Sequence, residues 1–121
     1  VVNIIDNPEL IPALNKLARL AYHEAKQAHD YAFSDKIHQY QASLSYLNLA
    51  MSYISAAEAL YYSRFDVLEH NDIEVVFQKF RAFANELLTN YATDHSHQWT
   101  DIEFERLKDS FDDSVLNFNN G

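Results

Sequence analysis

The sequence predicts an all-α fold, an antiparallel bundle of four main helices organised as helical hairpins, and three observations carry that reading. Only one Gly and two Pro occur in 121 residues, far below ordinary usage, so turn chemistry is scarce and long helices are favoured. Apolar residues recur at steps of three and four along most of the chain, the spacing that places them on one helix face. Helix-start signals fall between these periodic stretches: Asn7-Pro8, Ser34-Asp35, Asn71 to Glu74 and Thr100 to Glu103.

The organising stretch is Lys36 to Arg64, which has no Gly, no Pro and no charge between Lys36 and Glu58. One row of it runs Ile37, Tyr40, Leu44, Leu47, Met51 and Ile54, with Tyr61 continuing after Glu58; a second runs Ala42, Tyr46, Leu49, Tyr53, Ala56 and Leu60. A helix apolar on two faces needs neighbours on both. The first helix is expected to cover one face, and the third and fourth helices the other. Gln39, Gln41, Ser43, Ser45, Asn48, Ser52 and Ser55 interrupt the stretch, which argues against a membrane span because lipid offers these groups no partners.

Along the chain, residues 1–7 read as a short arm ending in Asp6-Asn7-Pro8, where Asn7 caps and Pro8 lacks an amide that would be unbonded anyway. Pro12 predicts a separate turn over residues 8–11, with the first long helix from Pro12 to Phe33. Its core row is Leu14, Leu17, Ala21, Ala25, Ala28 and Ala32, and the alanines allow close helix approach. Ser34-Asp35 is so short a link that the first two helices must form a hairpin. The third helix, capped by Asn71, presents Ile73, Phe77, Phe80, Ala84, Leu87 and Tyr91; the fourth, from Thr100, presents Phe104, Leu107, Phe111, Val115 and Phe118. Asp112 and Asp113 oppose the dipole of that last helix. Residues 117–121 read as a flexible tail. One domain fits this length, and a start without Met and an end at Asn-Asn-Gly read as a segment of a longer protein.

Composition also narrows function. A formal net charge of −9 opposes association with a phosphate backbone. The absence of cysteine excludes disulfides and thiolate metal sites and fits an intracellular setting, nuclear or cytoplasmic. His95 and His97 with Asp94 make an HxH pair in the expected loop over residues 92–99, but a metal site needs three or four ligands, so no metal and no cofactor is expected. No Glu is followed by His three residues later, which excludes a di-iron bundle. Phosphate-cradling loops need glycines that this chain lacks. What remains is a polar row on the second helix, Ser45, Asn48, Ser52 and Ser55, with Tyr46 and Tyr53 beside it. Tyr is enriched at interfaces, so this face is the expected contact surface for a second copy or for a helical partner protein.

Three resemblances attach to particular residues. Arg64 and His70, separated by Phe65-Asp66-Val67-Leu68-Glu69, fit the R-x(4-6)-H motif and so resemble HEPN ribonucleases; that likeness implies metal-independent RNA cleavage, with Arg64 and His70 as the catalytic pair. The alanine-rich first helix and YLNLAMSYISAAEAL together look like the helical hairpins of tetratricopeptide and MIT-type modules, which implies a peptide-binding adaptor. Glu24-Ala25-Lys26, His29, Ala32, Asp35-Lys36, Tyr46-Leu47 and Ser52-Tyr53-Ile54 resemble the C-terminal homology domain of the AFF scaffolds of transcription super elongation complexes. This last resemblance implies a non-catalytic, self-associating nuclear scaffold domain.

Overall fold

The computed structural model describes residues 10–32, 39–64, 73–93 and 96–112, and all of them except Arg64 and Ser96 are helical. Four helices result: α1 (Leu10–Ala32), α2 (Gln39–Ser63), α3 (Ile73–Thr93) and α4 (His97–Asp112). The arm, His70, Asn71, Asp94, His95, Val115, Phe118 and the tail lie outside the described residues.

Two helix starts differ from expectation, each for a local reason. α1 begins at Leu10, two residues before Pro12. Pro12 therefore sits in the first turn, where backbone N–H groups have no intrahelical partner, and its missing donor breaks nothing. α4 begins at His97 rather than at Thr100. Ser96 is the cap: its hydroxyl accepts from the Gln98 amide at 3.3 Å and its carbonyl from the Trp99 amide at 3.2 Å. Thr100, read from the sequence as a cap, is instead fully buried inside the helix. α3 continues through Thr93, so the expected loop over residues 92–99 shortens to the residues between Thr93 and His97.

α1 and α2 form the tightest pair. Buried Ala18, Ala21, Ala25, Ala28 and Ala32 on α1 meet buried Ser43, Leu47, Ala50, Ile54, Ala57 and Tyr61 on α2. Both rows step by three and four, the rhythm of two helices that interlock along their length. Small side chains bring the backbones so close that Ser43 Oγ donates to the Ala28 carbonyl across the gap at 2.7 Å. Tyr31 stacks on Tyr46 at the same end, ring centroids 5.5 Å apart, so the two helices run antiparallel.

α3 and α4 form the second hairpin, filled by Phe77, Phe80, Phe83, Leu87, Phe104, Leu107 and Phe111. Val76 and Phe83 are buried on α3 in addition to the row expected there. The hairpins join side by side. Tyr22 and His29 of α1 stack on Phe104 of α4, at 5.9 and 4.5 Å, and Tyr22 reaches Phe111 at 4.7 Å. Tyr40 and Tyr61 of α2 meet Tyr91 and Phe77 of α3, at 4.8 and 5.7 Å. Early residues of each helix meet late residues of the next, so the order α1, α2, α3, α4 runs around the bundle with alternating direction.

This arrangement corrects the sequence reading of α2. α4 packs on α3 and, less extensively, on α1 rather than on α2, so α2 occupies a corner with neighbours on two flanks and an open outer side. Leu47, Ile54 and Tyr61 of the first apolar row are buried as expected, and the rest of the buried stripe, Ser43, Ala50 and Ala57, lies between the two rows. Tyr40, Leu44, Leu49 and Ala56, all assigned to those rows, are exposed. The reason is steric, because Ser43, Ala50 and Ala57 are the small side chains that allow α1 to close in, whereas a row of Tyr and Leu would hold it away.

Thr100 supplies a separate test of the core. Its Oγ1 is buried with no hydrogen-bond partner among the described residues. Thr100→Val keeps the shape and removes a desolvated hydroxyl. The expected outcome is unchanged stability or a gain of about 1 kcal/mol, read from the urea midpoint.

Candidate functional site: the outer face of α2

The open side of α2 carries Gln41, Ser45, Asn48, Ser52, Ser55, Ala59 and Ser63, all exposed and spaced by threes and fours. Leu44 and Tyr62 border this row on the α3 side, and Leu49 and Ala56 border it on the other, all of them exposed too. Ser45, Asn48, Ser52 and Ser55 thus share the outer surface that the sequence assigns them. Tyr46 and Tyr53 do not. They are half-buried against the core, with Tyr46 turned toward Tyr31 of α1. The aromatic side chain beside the row is Tyr62, 51% exposed.

The row is electrically blank. Glu58 is the only charged side chain in the 25 residues of α2, and it points toward α3, where its carboxylate takes two hydrogen bonds from the Arg81 guanidinium. That pairing pushes Arg81 further above its usual value. Tyr62 donates to Glu74 Oε1 at 2.9 Å; desolvation, then the Glu74 hydrogen bond and its charge, push the phenol upward. Ser52 Oγ donates to the Asn48 carbonyl at 3.1 Å, and Ser63 Oγ to the Leu60 carbonyl at 2.8 Å. Hydroxyls satisfied within their own helix lose little when water is removed from above them.

A second polar cluster pins α1 to α4, and no spacing in the sequence pointed to it. His29 lies between two carboxylates, with Nδ1 3.1 Å from Asp30 and Nε2 2.7 Å from Asp101, and its ring lies flat against Phe104, 9° from parallel. Because an ionised carboxylate only accepts, the doubly protonated ring makes both contacts in full. Burial pushes the Asp30 carboxyl up, but hydrogen bonds from Lys26 and His29 and their charges outweigh it and hold the group below its usual value. His29, Arg81–Glu58 and Tyr62–Glu74 are polar ties between the hairpins.

Arg64 follows the last turn of α2, where its amide donates to the Tyr61 carbonyl at 3.1 Å. Its Nε and Nη2 are buried without a hydrogen-bond partner among the described residues. His70, its expected catalytic partner, lies outside them. His97 is exposed on the first turn of α4, and among the described residues no three His, Asp or Glu side chains gather as metal ligands. No helix among them is long and apolar enough to cross a membrane. Comparison with protein-family models, with curated proteins and with solved structures finds no match to the chain.

Proposed function

We propose that this chain is a non-catalytic protein–protein interaction module of an intracellular scaffold, and that the outer face of α2 is its contact surface. The single observation behind this is a solvent-facing helix side, six turns long, that bears no charge on a chain of net charge −9. Charged residues normally dominate exposed helix faces, and their depletion is the compositional mark of an interface centre. The nuclear, transcription-associated setting follows from the AFF resemblance and belongs to the same proposal.

A photo-crosslinking amino acid placed at Ser52 tests this in living cells, with Gln78 on the exposed side of α3 as the control position. The expected result is a covalent protein adduct from position 52 and none from 78. Adducts to RNA, or no adduct from either position, would overturn the reading. A ribonuclease reading gains no support from Arg64, two of whose guanidinium nitrogens are closed off from solvent.

A further inference from the structure

We infer that the occupant of this face is a second copy of the same chain, its α2 lying antiparallel to the first about a two-fold axis at Ser52. The inference rests on the interaction-module reading and names the partner. Its argument is electrostatic. Two chains that each carry −9 repel wherever their acidic surfaces approach within a screening length of about 8 Å. The outer face of α2 brings no charge to the contact, and the two acids at its α3 border are engaged, Glu58 by Arg81 and Glu74 by the Tyr62 hydroxyl. A partner of opposite charge would be drawn to the acidic faces instead. This surface suits a partner that must be met without charge, which is what a second copy requires.

Direction follows from the same reasoning. Parallel packing would align the two helix dipoles and set the Glu58–Arg81 pairs of both copies side by side, whereas antiparallel packing opposes the dipoles. It also holds the two Glu58 backbones about 18 Å apart along the axis, from the helical rise per residue. Ser52 is the midpoint of the exposed row from Gln41 to Ser63, so an axis there buries the whole row on both copies, as an isologous interface demands. Leu44, Leu49, Ala56 and Tyr62 supply apolar borders on either side. The row from Gln41 to Ser63 makes a strip about 33 Å long and about 10 Å wide, so the pair buries about 700 Å² in all, below the size of stable specific interfaces and in the range of weak, transient ones. The dimer is therefore weak, forming in the micromolar range.

Sedimentation equilibrium and disulfide trapping test this together. The 121-residue chain should pass from 14.1 kDa to twice that mass across the micromolar range. Ser52→Arg should weaken the dimer at least tenfold with helicity by circular dichroism unchanged, since the position is solvent-facing. The chain has no cysteine of its own, so Ser52→Cys should oxidise to a covalent dimer. Ser45→Cys should not, because an antiparallel pair holds its two copies about 21 Å apart. Efficient linking at Ser45→Cys would overturn the antiparallel arrangement. A monomer at several hundred micromolar would overturn the second copy as occupant: with protein adducts at Ser52 in cells the interaction reading stands, and without them both fall.

Discussion

Phe83→Ala should destabilise the fold by about 3–5 kcal/mol, the cost of deleting a large aromatic from a packed interior. Phe83 is fully buried and lies where three helices meet: its ring is 5.4 Å from Phe104 of α4 and 6.4 Å from His29 of α1. The cavity would open beneath the His29 ring and loosen its contact with Asp101, so the two hairpins lose packing and a polar tie at once. A domain of this size has a total stability of only about 5–15 kcal/mol, so the variant should be marginal at 37 °C. Urea denaturation followed by circular dichroism measures the effect. Leu88→Ala on the exposed side of the same helix is the control, with an expected change within about 0.5 kcal/mol. A Phe83 effect no larger than the control would mean that the hairpins do not meet through this residue.

Ala28→Leu should be nearly as damaging, for the opposite reason. Ala28 is fully buried in the seam between α1 and α2, and its carbonyl accepts the Ser43 hydroxyl. Three additional carbons have no void to enter. They must push α2 outward, breaking that hydrogen bond and separating the rows on both sides of it. Overpacking of this kind costs about 1–3 kcal/mol, and the upper end is expected because the backbone itself is in contact. Ala92→Leu at an exposed position of α3 should cost almost nothing. Ser43→Ala combined with Ala28→Leu should cost less than the sum of the single changes, because the two residues share one contact.

These two residues mark what could and could not be read from the chain. The Ala28 seam was legible, since Ala21, Ala25, Ala28 and Ala32 recur at helical spacing and have no role other than close approach. Phe83 was missed. The row chosen for α3 steps from Phe80 to Ala84, and Phe83 lies one position to its side, on the flank that a helix packed against two neighbours also buries. α2 misled in the other direction. Its Leu and Tyr rows are more hydrophobic than the positions of Ser43, Ala50 and Ala57, so pattern alone favours both rows for the core, yet only Leu47, Ile54 and Tyr61 of the first row are fully buried, and small side chains alternate with them against the alanine ridge of α1. Thr100-Asp101-Ile102-Glu103 has the form of a capping box, but Ser96 caps one turn earlier and the start signal becomes helix interior.

The candidate site divides along the same line. Ser45, Asn48, Ser52 and Ser55 could be placed on one face because they lie on one helix, where spacing is geometry. Tyr46 and Tyr53 flank that row in sequence, but their exposure depends on where α1 sits, which no local pattern encodes. The His29–Asp101 contact joins residues 72 positions apart and exists only once both hairpins have formed.

The central claim is that the outer face of α2 is covered when the protein is at work. Thiol accessibility tests it most directly, because the chain provides no competing cysteine. Ser52→Cys and Gln78→Cys would be labelled with a small maleimide in intact cells and, as purified protein, at nanomolar dilution. The account predicts that both thiols react at similar rates when dilute, and that in cells the thiol at 52 reacts at least tenfold more slowly than the thiol at 78. Equal rates at the two positions in cells would contradict it.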